Sequence, residues 1–166
     1  MITPTTGTMW HVVHTKPRQE FRAEQNLAAQ GFEVFLPRVL IERKRRNRLL
    51  TVEEGLFPRY LFVRFDPSSD PWHLIRNTLG VSSLVRVGMQ PANVPALIIE
   101  QLKALETTVI GRFQAGDKIL VNDGPFKGFE GVYMEEDGEQ RAMILIEFLN
   151  KTQRIRVEAV VLSASA

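Results

Sequence analysis

The residues of this chain best suited to chemistry are cations. Residues 43 to 48 read Arg-Lys-Arg-Arg-Asn-Arg, and Lys16, Arg18 and Arg22 lie close together upstream. Net charge is only +2, from 21 basic and 19 acidic residues, with acidic residues gathered at Glu53-Glu54 and Glu135-Glu136-Asp137. A locally basic surface on a nearly neutral protein favours contact with nucleic acid over general stickiness. Lysine and arginine neutralise phosphate, and Arg, Lys or Gln can read exposed base edges. A solvated hairpin tip accounts equally well for the 43–48 run taken alone.

Catalytic arrangements are missing from the sequence. With no cysteine, the chain has no disulfide, thiol nucleophile or thiolate metal site. His11 and His14 are three apart on an expected strand, so they point to opposite faces and cannot share a metal. His73 is isolated, and Ser82-Ser83 lacks a nucleophile-elbow context. Glu53-Glu54 has no cleft signal beside it. The expectation is a binding protein with no catalytic residue, no metal and no cofactor.

The segment Gly116-Asp-Lys-Ile-Leu-Val-Asn-Asp-Gly-Pro-Phe-Lys-Gly-Phe-Glu-Gly-Val132 reads as a strand, a glycine-rich turn and a second strand ending near Tyr133. Gly124, Gly128 and Gly131 mark turns or close backbone approach. No Gly-Lys-Ser/Thr follows, so this is not a phosphate loop. It resembles the KOW motif, an RNA- and protein-binding element of small β-barrels.

The elements that must position these residues follow from periodicity. Trp10 to His14 reads as a strand. Gln19 to Gln30 reads as a helix with Phe21, Leu27 and Ala28 inward and Gly31 as its stop. Glu33 to Arg43 reads as a strand bent at Pro37, with the basic run as a hairpin tip and Leu49 to Glu54 returning. Tyr60 to Phe65 is apolar on both faces, which predicts a central strand or an outward sticky face. Asp70-Pro71 predicts a capped helix start, with a short helix from Trp72 to about Asn77. Leu84 to Val87 reads as a strand. Pro95 opens a helix to roughly Thr107 with Ile98, Leu102 and Leu105 inward. Ile99 widens its apolar face beyond one sheet contact, which suggests a partner.

At 166 residues and 44% hydrophobic content, the chain can bury one sizeable core, or a modest core plus a small barrel. No apolar run approaches the roughly 18 residues of a membrane span, and Met1 to Thr8 has no apolar signal-peptide core. The expected organisation is a disordered leader (1–8), an α/β domain (9–106), a linker (107–115) and a barrel-like C-terminal domain (116–166). The expected setting is the cytoplasm, as a monomer.

Taken in order, Trp10-His-Val-Val, Lys16-Pro-Arg-Gln-Glu-Phe-Arg22, Leu56-Phe-Pro-Arg-Tyr-Leu-Phe-Val63, Thr78-Leu-Gly-Val-Ser82, Val85-Arg-Val-Gly88, Val94-Pro95, Gly116-Asp-Lys118 and Asp137-Gly-Glu-Gln-Arg-Ala-Met143 resemble the NusG family of transcription elongation factors, and within it the specialised RfaH branch. The likeness covers about residue 10 to 162. It implies an α+β chain: an N-terminal α/β sandwich domain that binds RNA polymerase, and a small C-terminal KOW domain. His14, Tyr60, Phe62, Ile99 and Leu102 match the apolar patch that grips the polymerase clamp helices. Lys16, Gln19, Arg22, Arg76 and Thr78 match the contacts to non-template strand DNA. Leu79 stands where an arginine is usual, and Pro71-Trp72-His73 replaces a polar motif that touches a polymerase loop.

For the C-terminal domain, the resemblance implies either an SH3-like β-barrel, which recruits the ribosome, or an α-helical hairpin that masks the clamp-helix patch. Glu54 and Arg141 match a salt bridge of the masked state, and Tyr133 is placed to seal against Ile99. The residues allow both states. Ala142, Leu145, Ile146 and Leu149 form a helical stripe, while Arg154-Ile-Arg-Val-Glu158 alternates as a strand does. The closed form, with about Gly116 to Arg156 helical, is the expectation. A general NusG-type factor with a permanent barrel, and a ribosome-associated KOW protein that binds RNA, are the alternatives.

Overall fold

In a computed structural model, residues 7–104, 109–110, 132 and 137–164 are described. Strands β1 (Met9–Thr15), β2 (Glu33–Phe35), β5 (Tyr60–Phe65), β6 (Val81–Leu84) and β9 (Asn93–Val94) build the main sheet. Its order is β2-β5-β1-β6, with β9 also paired to β1. β1 and β5 run antiparallel from Met9↔Phe65 to His14↔Tyr60.

This central position explains why β5 is apolar on both sides. Leu61, Val63 and Phe65 join Val13 in one core, with Ala23 and Leu27 of helix α1 (Glu20–Ala29) and Ile75. Phe62 points the other way, into a core with Trp10, Val12, Phe35 and, from helix α2 (Ala96–Ala104), Ile98, Ile99 and Leu102. Leu145 and Leu149 of the long C-terminal helix α3 (Gly138–Ala164) enter that second core.

Pro37 does more than bend a strand. It separates β2 from β3 (Arg38–Arg45), which leaves the main sheet and pairs with β4 (Arg48–Gly55) from Arg38↔Gly55 to Arg45↔Arg48. Proline lacks the N–H that would carry the ladder onward. The hairpin tip is Arg46-Asn47, with φ of 48° and 61°, the left-handed pair of a type I′ turn that matches strand twist. The expected linker contains a strand, β10 (Val109–Ile110), which lies parallel to β3 at Leu40 and Ile41.

Other local expectations need revision. Helix α1 buries Ala23 and Leu27, four residues apart, and leaves Phe21 and Ala28 exposed. The Arg38 guanidinium covers the Phe21 ring instead, at 4.8 Å. The Asp70 carboxylate accepts from the Asp66 N–H at 2.6 Å rather than capping a helix. The segment that follows, Trp72–Asn77, is 3₁₀, not α. Leu84 to Val87 divides between β6 and a short ribbon of β7 (Arg86–Val87) and β8 (Gln90–Pro91). The Gly31 stop holds, with φ of 95°.

His11 is buried on Phe65, ring centroids 4.1 Å apart, with Nδ1 3.1 Å from the Ala92 carbonyl oxygen. Burial holds its pKa below the usual value, and the hydrogen bond to Ala92 only partly offsets this. The unfolded chain therefore takes up the proton first as pH falls through about 6.5. Stability is full above that value and is lost below it, with a slope of up to about 1.4 kcal/mol per pH unit. Urea midpoints at neutral and mildly acidic pH check this: His11→Gln is expected to flatten the difference.

Candidate functional site

The apolar candidates converge where β1, β5 and α2 meet. His14 and Tyr60 are cross-strand partners with rings 5.0 Å apart. Both are half-buried. Burial lowers the His14 pKa, and the nearby Arg59 charge lowers it further. Phe62 is fully buried between Phe35 and Phe57, each with its ring 6.1 Å away. Ile99 and Leu102 are buried beside it.

Their cover is α3. Arg141, Leu145 and Leu149, spaced by four, are its buried line. Ala142 and Ile146, expected in the stripe, are half-buried at its edge. Residues 154–158 lie within the helix, so their alternation does not produce a strand here. Tyr133 falls outside the described residues; its neighbour Val132 is buried in the same core.

Arg141 is wholly enclosed. Its Nε donates to the Leu56 carbonyl at 2.7 Å and its Nη2 to the Gly55 carbonyl at 3.4 Å. The Glu54 carboxylate lies 3.9 Å away and is 26% exposed. The resemblance pointed to Glu54; nothing in the sequence pointed to the two carbonyls, which are charge-assisted acceptors at closer range. Asp137 starts the helix, its Oδ1 accepting from Glu139 N–H at 2.9 Å. Gly138 then sits so close to Pro58 that an added Cβ would be 2.7 Å from Pro58 Cγ.

The basic candidates lie around the turn from β1 into α1. Lys16 and Arg22 are exposed, and Gln19 is half-buried. The 78–80 loop is tied to them through Lys16 N–H to the Gly80 carbonyl, 2.9 Å, and Asn26 Nδ2 to the Leu79 carbonyl, 3.4 Å. Gly80, φ 92°, allows that approach, since a Cβ would stand 2.8 Å from Ala23 N. Thr78 is buried. Its hydroxyl donates to the Leu74 carbonyl at 3.0 Å and accepts from Gln30 Nε2 at 2.7 Å. Arg76 is exposed and lines a separate cavity with Trp72 and Arg86. The structure therefore sets Lys16, Gln19 and Arg22 around one turn that the Leu79 and Gly80 carbonyls brace, buries Thr78, and sets Arg76 in its own feature. The 43–48 run occupies the end of the β3–β4 arm, where Lys44, Arg45, Arg46 and Arg48 are exposed.

Arg59 was not singled out by sequence. It holds φ of 72°, accepts from Thr15 N–H at 2.8 Å, and donates its own N–H to Glu20 at 2.9 Å. A left-handed arginine after proline gives no sequence signal. Among the described residues, no cluster of three or more acidic, His or Cys side chains is suited to a metal, and no helix is long and apolar enough to cross a membrane.

The family profile described as "Transcription termination factor nusG" matches residues 8–103. "Transcription termination/antitermination protein NusG" of Thermus thermophilus is 31% identical over 165 residues, covering 82% of this chain and 89% of the relative. The protein of the same description from Rickettsia felis is 26% identical over 164 residues, covering 89% and 85%. That of Staphylococcus aureus is 26% identical over 168 residues, covering 90% and 91%. A solved structure, "Domain interaction in Thermotoga maritima NusG", superposes with a TM-score of 0.42 at 23% identity, over 58% of this chain and 55% of that one.

Proposed function

The chain belongs to the NusG family of transcription termination and antitermination proteins, and on that premise we propose that it is an RNA polymerase-binding elongation factor held closed by its own C-terminal helix, in the manner of the RfaH branch. The observation that carries this reading is the shared core: Leu145 and Leu149 of α3 are buried with Phe62, Ile99 and Leu102. A face that apolar would be a sticky groove once uncovered, suited to the apolar stripe of a partner helix. Lys16, Gln19 and Arg22, on the turn from β1 into α1, supply contacts for non-template strand DNA. On release, the C-terminal segment takes the KOW barrel form and recruits the ribosome. The protein works in the cytoplasm as a monomer.

The second reading is a general NusG-type factor with a permanent barrel. It is favoured by the relatives, which carry the general NusG description. Backbone chemical shifts separate the two. Helical shifts for residues 138–164 in the intact chain, with β shifts in the isolated 112–166 fragment, are expected. β shifts in both would overturn the closed reading in favour of the general factor.

Gly138→Ala offers a separate check. Alanine is at least as good a helix former as glycine, yet its Cβ would press on Pro58. The variant should keep its helix, loosen its docking and bind polymerase more tightly. Unchanged or weaker binding would count against the masking of that face.

A further inference from the structure

A cavity of about 340 Å³ opens beside the 3₁₀ helix, lined by Trp72, His73, Arg76, Asn77, Leu84 and Arg86. Its charge is one-sided, with two arginines and no carboxylate in the lining. The Trp72 ring is fixed from behind: Nε1–H donates to the Pro67 carbonyl at 3.0 Å, and the ring stacks on Phe65 at 6.3 Å and 14°. The Arg86 guanidinium carbon stands over that ring, 5.9 Å from its centroid.

At that distance the guanidinium is in cation–π contact with the outer face of the ring. Arg86 is exposed, so its side chain can swing outward and close again over a base laid on that face. A fixed aromatic platform, a movable guanidinium and a second cation together form the apparatus of single-strand binding: stacking for the base, charge for the backbone. An acidic protein loop would satisfy the arginines but leave the ring unused.

We propose that this cavity takes an unpaired nucleotide of single-stranded nucleic acid, the base between Trp72 and Arg86 and the phosphate on Arg76. The proposal deepens the nucleic-acid part of the proposed function and rests on it. Trp72 and Leu84 pack with the core on the α1 side of the sheet, whereas Leu145 and Leu149 pack on the other. The cavity therefore stays open while α3 is docked.

The test is fluorescence anisotropy with short oligodeoxyuridylate and oligouridylate strands, which differ only at the 2′-hydroxyl, on the full chain over a salt series. Arg86→Met and Arg76→Met change exposed side chains, so folding is not at risk. Arg86→Met is expected to weaken binding about 5- to 30-fold. Arg76→Met should lower the salt slope by about one. Trp72→Leu should weaken binding about 5- to 100-fold with the slope unchanged. Tighter binding of one strand type names the sugar, and either preference supports the proposal. If the strands bind but Lys16→Met and Arg22→Met weaken them while both cavity arginine variants do not, the cavity proposal is overturned and the DNA reading stands. No binding by the unaltered chain overturns both. Displacement of the strand by polyglutamate, lost in Arg86→Met, would assign the cavity to an acidic protein segment instead.

Discussion

Arg141→Ala is expected to release α3 from the β5–α2 face. The substitution removes a wholly buried guanidinium that donates to the Leu56 and Gly55 carbonyls and lies beside Glu54. It leaves those buried acceptors without their donor and opens a void next to Leu145. Breaking such a buried, hydrogen-bonded charge costs about 3–5 kcal/mol, which shifts a docking equilibrium at least a hundredfold. Glu54→Gln is the useful contrast. It keeps a side-chain oxygen and removes a partly solvated charge 3.9 Å from the guanidinium, so its effect on docking should be smaller than that of Arg141→Ala, near 1 kcal/mol. Hydrogen exchange of the α3 amides reads both. Protection in Arg141→Ala equal to the unaltered chain would mean that Leu145 and Leu149 hold the helix without the arginine.

Gly80→Ala should be the most damaging small change in the N-terminal domain. Two costs coincide. The backbone sits at φ 92°, where a side chain is strained by about 1–2 kcal/mol. The new Cβ would also stand 2.8 Å from Ala23 N and 3.1 Å from Ala23 Cα. These are helix backbone atoms, so α1 itself must move, at an overpacking cost of about 1–3 kcal/mol. Gly31→Ala isolates the first cost, since it has nearly the same φ, 95°, with nothing within 4 Å. Thermal unfolding should show Gly31→Ala losing several degrees and Gly80→Ala about twice that or more. Equal losses would dispose of the close-approach argument. Because Lys16 N–H bonds the Gly80 carbonyl, the proposed function also expects the same variant to weaken DNA binding.

The sequence made the central strand legible because Tyr60 to Phe65 carries apolar side chains on both faces, and only a strand covered twice needs that. The hairpin tip was legible from charge, and the end of α1 from Gly31. The inward face of α1 was not. Phe21 is the larger apolar residue, yet the small Ala23 is what lets Gly80 approach, so shape outweighed hydrophobicity. Pro37 signalled a break, but not that the chain would change sheets there. The C-terminal segment was ambiguous for a physical reason. One stretch carries a helical stripe at Leu145 and Leu149 and another a strand alternation at 154–158, so tertiary contacts decide between them. Among the candidate site residues, the apolar ones were readable as surplus hydrophobicity. The enclosure of Arg141 by backbone carbonyls was not, because a carbonyl acceptor leaves no trace in residue type.

The two covers of β5 also differ in what they ask of mutation. Leu61, Val63 and Phe65 answer to one neighbourhood, built from α1 and the 3₁₀ helix. Phe62, on the opposite face, belongs to a core that α3 completes in this structure and that, on the proposed function, a second protein completes once α3 leaves. A side chain that must fit two successive surroundings tolerates fewer replacements than one that fits a single permanent one. Sequence drift along this strand should therefore be uneven, with a period of two, freer on the α1 side than on the side that changes company.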